Sequence, residues 1–459
     1  MKITVLNGSP KGDMSVTLRY VKYMEMKNPG HEFDVLNIAG EITRIEKDEV
    51  YFRSLICRIK AADAVLWSFP LYYMLVPAQY KRFIEMIFEN NAEYAFKDKY
   101  AASISTSVHF MDHIAHNYIH AVSEDLGMSF FDFYSPHMND LLDEKQRKKI
   151  GTFMSLFLDA VGKRPAIQPA YERKLPLTLT YTPAASVKGV DTGNLKIHIV
   201  ADEKNTGSKI SHMVEKLSAS FGENVKITSL DDIGMKGGCT GCCRCAFENK
   251  CIYNDGFCDW FRDELLASDI IIFAGSVRDR FISSGFKQLM DRSFFLGHTP
   301  KMKGKTMGFM VSGNLRDNRI LQEFFTVFTE CGGMGFGKAI SDECSSSEEL
   351  DEIIDSFVQE LLNYAQNSYI RPPTFYAVGG HKIFRDMIWG GMRPIFRADH
   401  RYYKKNKLYD FPQYDLRMRL ERMFLWFLLG IPQVRRAVLP RMREHMVEPL
   451  DKVLESIGK

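Results

Sequence analysis

Five of the chain's nine cysteines stand in one stretch of thirteen residues, CTGCCRCAFENKC, from Cys239 to Cys251. Cys239, Cys242, Cys245 and Cys251 follow the spacing C-x2-C-x2-C-x5-C, with Cys243 and Cys258 left over. A loop this tight sets three thiolates at three corners of a metal centre and lets a fourth close it. Three chemistries meet that description. The set can ligate a 4Fe–4S cluster, hold a four-thiolate zinc ion, or stand as reduced thiols that have lost their metal. Tetrahedral sulfur alone does not separate iron from zinc.

A second candidate lies at the start of the chain, in Asn7-Gly8-Ser9-Pro10-Lys11-Gly12. Glycine lets a backbone approach a ligand closely, and the first N–H groups of a following helix point outward with the positive end of its dipole. Ser9, Ser15 and Thr17 add hydroxyls and Lys11 a positive charge. That set suits a phosphate monoester; the alternative is a β–α turn that binds no ligand. A third candidate is HFMDHIAHNYIH, where His109, His113, His116 and His120 share one helical face at spacings of 4, 3 and 4. Such a face can ligate a metal or move protons, but a partly solvated helix face is the commoner meaning.

These residues need strand ends and helix starts to position them. KITVLN (2–7) reads as a buried strand leading into the glycine turn, and SVTLRYVKYM continues as a helix. LKIHIVA (195–201) repeats the strand, followed by DEKNTGSK and the helix KISHMVEKL. AADAVLWSFPLYYMLVPAQYKRFIEMIF from Ala61 repeats as ASDIIIFAGSVRDRFISSGFKQLMDRSF from Ala267. Corresponding landmarks lie 194 residues apart at Lys2 and Lys196, but 206 apart at Lys81 and Lys287. The second copy thus holds twelve more residues, in the interval that contains the cysteines. Third strands are expected at Tyr100–Thr106 and Thr306–Gly313.

Strands alternating with helices predict α/β architecture, with two tandem doubly wound parallel-sheet domains. The copies span 1–165 and 195–365, with a Pro- and Thr-rich linker at 166–194 in which LTLTYT alternates like an edge strand. A basic, aromatic-rich helical tail fills 366–459. From Asn367 onward 18 Lys and Arg stand against 9 Asp and Glu, while the preceding chain carries a surplus of six acids. The tail fits packing onto the domain pair, contact with an acidic redox partner, or contact with a membrane surface. No motif for reading nucleic acid accompanies the charge. No signal-like or spanning apolar run is present, so reduced thiols and a cytoplasmic location are expected.

The strand-NGSPKG-helix opening and FPLYYMLVPAQYKRFIE (69–85) together resemble the flavodoxin-like NAD(P)H-dependent FMN reductase family. The resemblance implies that Asn7, Gly8, Ser9, Pro10 and Lys11, with Ser15 and Thr17, hold the FMN phosphate. It implies that Pro70, Leu71, Tyr72 and Tyr73 line the isoalloxazine ring, where an aromatic side chain can stack. Ser105 and Thr106 begin the third flavin loop, STSVHF, which lacks the glycine usual in the family. The cysteine spacing is similar to that of iron–sulfur flavoproteins of the same superfamily, which carry a 4Fe–4S cluster near FMN. In the second copy Asp202, Glu203 and Lys204 replace Gly8, Ser9 and Pro10, and Ser276 and Arg278 replace Pro70 and Tyr72. Carboxylates disfavour a phosphate dianion, although Thr206, Gly207 and Ser208 could form a nest. FMN is therefore expected in the first copy and a degenerate site in the second.

The expected activity is FMN-dependent electron transfer from reduced nicotinamide or a ferredoxin-type donor to a small-molecule or protein acceptor. With no GxGxxG after either strand, NAD(P)H would dock transiently over the flavin. Two other classes remain: a non-enzymatic flavin and iron–sulfur carrier, and a zinc-stabilised scaffold without flavin. Pairing is expected either as a dimer or as a pseudo-dimer of the two copies.

Overall fold

The computed structural model describes the chain apart from residues 173–176, 185–188, 203–206, 298, 300, 458 and 459 and the side chain of 445. Two compact units result, Met1–His400 and Arg401–Lys459.

The first unit contains both copies. In the first copy β1 (Lys2–Asn7), β2 (Glu32–Asn37), β3 (Ala64–Pro70), β4 (Tyr100–Thr106) and β5 (Ser129–Tyr134) form a parallel sheet in the order β2-β1-β3-β4-β5. Its helices are α1 (Val16–Lys27), α2 (Ile42–Lys47), α3 (Glu49–Lys60), α4 (Ala78–Glu89), α5 (Asp112–Asp125) and α6 (Glu144–Lys163). This is the flavodoxin-like order, which reverses direction between β1 and β3 and opens a crevice at their carboxyl ends. Near-continuous apolar runs such as AVLWSF suit strands covered on both faces, and every residue of that run is buried.

The second copy repeats the plan with β6 (Ile197–Ala201), β7 (Val225–Ser229), β8 (Ile270–Arg278), β10 (Thr306–Ser312) and β11 (Gly335–Ser341), ordered β11-β10-β8-β6-β7. A short β9 (Phe281–Ile282) folds back antiparallel on β8. Its helices are α7 (Lys209–Phe221), α8 (Arg244–Glu248), α9 (Phe257–Asp263), α10 (Ser284–Arg292), α11 (Arg319–Gly332) and α12 (Ser347–Gln366). Register is kept between copies: Ile3 faces Ala64, and its counterpart Ile197 faces Ile270. The twelve extra residues fall between β7 and β8, as the change of offset requires.

The linker forms no strand among its described residues. LTLTYT instead straps the second copy: the buried Tyr181 donates its hydroxyl to Asp351 on α12 at 2.5 Å. Of the tail, α13 (Phe375–Trp389) packs on the first unit, with Phe384 4.8 Å from Phe110. The helices α14 (Arg397–Lys405), α15 (Leu416–Gly430), α16 (Pro432–Val438) and α17 (Met442–Ile457) complete the chain. No helix among the described residues is long and apolar enough to cross a membrane.

One hydrophobic cluster runs through both copies, from Leu6 and Trp67 in the first to Phe273, Phe309 and Phe328 in the second. At the junction α4 and α10 meet. Lys81 donates to the carbonyl of Arg278 at 2.8 Å, and its counterpart Lys287 donates to the carbonyl of Tyr72 at 2.8 Å. Glu85 accepts the Ser284 N–H at 2.7 Å, while Asp291 accepts the Ala78 N–H at 2.8 Å. Each copy thus caps the first turn of the other's helix, where N–H groups lack partners of their own. The two copies thus pair within the chain.

Candidate functional site

At the crevice of the first copy, Asn7, Gly8, Ser9, Ser15 and Thr17 are all buried, Pro10 is half-buried, and Lys11 and Asp13 reach solvent. The Gly8 N–H donates to the Ser68 carbonyl at 2.7 Å, tying the turn to β3. A Cβ on Gly8 would stand 2.6 Å from the ring of Tyr80, whose hydroxyl donates to the Leu6 carbonyl. The glycine is therefore fixed by a close approach from below. Asn7 shapes the turn from inside, donating to Gly12 O at 3.2 Å and to Asn37 Oδ1 at 2.8 Å, and accepting the Ser9 N–H. Ser15 caps α1 by accepting the Leu18 N–H at 3.3 Å. That leaves the N–H groups of Val16 and Thr17 as the helix donors with no acceptor four residues back. Hydroxyls, free helix donors and one cation thus share a strand-end crevice, and the residues fit a phosphate monoester.

The ring loop is a two-residue reversal. Tyr72 and Leu75 exchange both backbone hydrogen bonds, at 2.9 and 3.0 Å, with Tyr73 at φ 45° and Met74 at φ 65°. The second copy repeats it with Asp279 at φ 48° and Arg280 at φ 70°. Bulky residues in this region cost on the order of 1 kcal/mol each. The turn aims its two tyrosines apart. Tyr73 is turned into the second copy, edge-on to Phe294 at 5.6 Å and tilted on Phe328 at 5.6 Å. Its expected place against the flavin ring is thus not what the geometry gives, because the αL backbone swings the side chain across the junction. Pro70 ends β3 in register with Thr106 on β4, and Leu71 packs on the shared core. Tyr72 stays at the crevice, and burial together with nearby Cys239 raises its hydroxyl pKa well above the usual value.

The third loop joins the crevice through Thr106, whose hydroxyl lies 2.8 Å from that of Thr17. Ser105 faces away: its Oγ is 2.9 Å from His116 Nε2. The histidine face disperses. His116 is buried between Ser103 and Ser105, and desolvation lowers its pKa to about 3. His109 pairs with Asp112, His113 with Glu323 of the second copy at 2.9 Å, and His120 with Glu124.

The cysteine insertion leans on the other copy. Gly238 lies against Gln79, whose Nε2 donates to the Cys239 carbonyl at 3.1 Å, and the buried Gln79 Oε1 has no protein partner. Gly241, at φ 65°, has no room for a Cβ: the Tyr72 hydroxyl occupies that space and Lys11 Cε lies 2.9 Å away. One backbone position of the second copy therefore bridges the phosphate turn and the ring loop of the first. Arg292 anchors the insertion through both carboxylate oxygens of Asp255 at 2.8 and 2.9 Å, sandwiched against Tyr253 and Phe257.

No disulfide joins any of the nine cysteines. Burial pushes Cys239 and Cys245 up to about 12, whereas a hydrogen bond with Cys258 pulls Cys251 down to about 6. Among the described residues no group of three or more His, Cys, Asp or Glu side chains is placed to hold a metal ion. Cys239, Cys242, Cys245 and Cys251 share the insertion, but Cys251 is turned toward Cys258 and Arg292, and the four do not fit a cluster as arranged.

The second copy's crevice differs. Asp202 stands where Gly8 stands, half-buried, accepting from Ser283 Oγ at 2.5 Å and from the Ser276 N–H at 3.2 Å. Burial raises its pKa above the ordinary value. Glu203, Lys204 and Thr206 lie outside the described residues. Sequence reasoning missed Gln79, Gly238 and Gly241, and also the reciprocal caps. The caps had a signal: both copies carry a lysine and an acid four residues on, Lys81 with Glu85 and Lys287 with Asp291.

Residues 1–150 match the family model described as flavodoxin-like fold, and residues 195–342 match that of NADPH-dependent FMN reductase. Similar solved structures include FerB, a flavoenzyme NAD(P)H:(acceptor) oxidoreductase from Paracoccus denitrificans. It is 25% identical, with 35% of this chain and 97% of that one covered and a TM-score of 0.31. A WrbA-like flavodoxin from Agrobacterium tumefaciens is 17% identical over 38% of this chain and all of its own, with a TM-score of 0.29. General stress protein 14 from Treponema denticola, solved with FMN, is 13% identical over 35% of this chain and 98% of its own, with a TM-score of 0.27. No curated protein matches.

Proposed function

We propose, from the premise that the chain carries a flavodoxin-like domain and an NADPH-dependent FMN reductase domain in tandem, that it is an FMN-dependent oxidoreductase with its flavin in the first copy. The observation that carries this reading is the difference between the two crevices. One presents Gly8, hydroxyls and free helix donors; the other presents the Asp202 carboxylate at the same place. FMN bound in the first would accept a hydride and release electrons in pairs or singly.

The chain's own residues bind, orient and exclude water. Ser9, Ser15 and Thr17, with the α1 dipole behind them, take the phosphate, and Lys11 adds charge at the rim. Pro70, Leu71 and Tyr72 face the ring, and Gly241 closes the gap between the two loops. The donor is reduced nicotinamide that docks and leaves, and the acceptor is a small molecule or a protein. Cys239, Cys242, Cys245 and Cys251 carry the spacing of a 4Fe–4S site, but as arranged they do not fit one, and no electron step is routed through them.

Calorimetric titration of the full chain with FMN tests the site. Lys11→Gln, at an exposed position, should weaken binding about tenfold, the size of one charge-assisted contact. Gly241→Ala should weaken it further, because the insertion must lift off Tyr72 and Lys11. A chain that takes up no FMN, or a Lys11→Gln variant that binds as wild type does, overturns the reading. Failure of the FMN-loaded chain to oxidise NADPH with any acceptor would leave a carrier. Iron and sulfide analysis after anaerobic purification decides the cluster separately.

A further inference from the structure

The unit Arg401–Lys459 carries an apolar segment that the redox site leaves unused. Within and just after α15 runs MFLWFLLGI, Met423–Ile431, nine residues without a charge. Met423, Phe424, Leu425, Trp426 and Phe427 are each between 47% and 71% exposed. A contiguous patch of large apolar side chains facing water marks an interaction surface. The charge around it has almost one sign: five arginines, Arg417, Arg419, Arg422, Arg435 and Arg436, against Glu421 across Leu416–Val438.

The pattern distinguishes among occupants. Met423–Leu429 is seven apolar residues in a row, nearly two helical turns, so every side of that stretch is apolar. A groove on a partner protein covers one stripe of a helix and leaves the opposite side wet. Hydrocarbon can surround all sides, and arginines at both ends can lay their stems along it while the guanidiniums reach phosphate. Nine residues rise only about 14 Å, half of what a bilayer core requires, in keeping with the lack of any spanning helix among the described residues. Trp426 is also of the type enriched at the headgroup boundary.

We propose that α15 is an interfacial anchor that seats the chain on an anionic lipid surface. Met423–Ile431 enter the acyl boundary of one leaflet, and the flanking arginines sit on lipid phosphates. Apolar insertion and basic attraction act together, as stable anchoring needs two signals.

The test mixes the full chain with sucrose-loaded vesicles, either phosphatidylcholine alone or with about one phosphatidylglycerol in three, and reads the sedimented fraction. The chain should sediment with the anionic vesicles and release as salt rises, since screening shortens the reach of the arginines. Arg417→Gln, Arg419→Gln and Arg422→Gln together should weaken binding about a hundred-fold, at about fivefold per arginine. Phe424→Glu with Trp426→Glu should abolish it while NADPH oxidation in solution is unchanged. The proposal is overturned if the chain stays in the supernatant at low salt, or if the Phe424→Glu, Trp426→Glu variant sediments as wild type does. It is also overturned if light scattering shows a dimer that those two substitutions dissociate and that ignores vesicles.

Discussion

His116 shows what burial does to a group that sequence reading placed on a solvated face. Its ring has no exposed surface, stacks on Phe133 at 4.4 Å, and meets the Ser103 and Ser105 hydroxyls at 2.8 and 2.9 Å. A neutral imidazole needs one donor and one acceptor, and two hydroxyls can supply both; an imidazolium would lack a counter-charge at contact distance. With its pKa held at about 3 by desolvation, the folded ring stays neutral while the unfolded ring protonates below about 6.5. Protons then favour the unfolded chain, so stability falls as pH drops from about 6.5 toward 3, by about 1.4 kcal/mol per pH unit. Urea unfolding of wild type and His116→Gln at pH 7 and pH 5 should show the gap between them shrinking by about 2 kcal/mol. A gap that does not change with pH would mean that the ring takes its proton inside the fold.

At the scale of elements, α4 and α10 make the two copies one body. Each buries a lysine–carboxylate pair four residues apart, and each carboxylate also caps the other helix. Such a pair adds little compared with apolar packing, but breaking it strands a buried charge. Asp291→Ala removes the cap on Ala78 and leaves Lys287 without its counter-ion, and should cost about 3–5 kcal/mol in urea unfolding. Glu85→Ala should cost a similar amount through Ser284 and Lys81, because the contacts are reciprocal. Unequal losses would show that the two halves of the junction are not equivalent. This junction also marks how far the sequence could be read. Three strands of each copy, the duplication and the grafted insertion follow from local apolar runs and from the change of offset between Lys81 and Lys287, whereas the edge strands and the sheet order do not. Nor do the direction of Tyr73 and the seat of Gly241 on Tyr72 and Lys11. Gln79 meets Cys239 across 160 positions and Lys287 meets Tyr72 across 215, and no periodicity within either copy encodes which surfaces pair. The four histidines were legible as one helical face, yet their partners come from β4, α11 and α5 itself, so a common stripe did not become a common site.

At the scale of the molecule, duplication offers two strand-end crevices but equips them differently. In the first, Gly8 lets the turn close onto Tyr80, and the buried hydroxyls of Ser9, Ser15 and Thr17 line the turn and the start of α1. In the second, Asp202 projects a carboxylate into the same region, oriented by Ser283 and the Ser276 N–H. Burial raises its pKa, yet a phosphate beside it would still lose space and, whenever the carboxylate ionises, meet like charge. The second copy has other work. It supplies the capping helix and the core surface that a separate subunit would otherwise bring, and its insertion lays Gly238 against α4 and Gly241 against the first copy's loops. One chain should therefore bind one FMN, not two. Flavin released by heat and measured against protein concentration after saturation should approach one per chain. Two would show that Asp202 yields its place, and would overturn the division of labour between the copies.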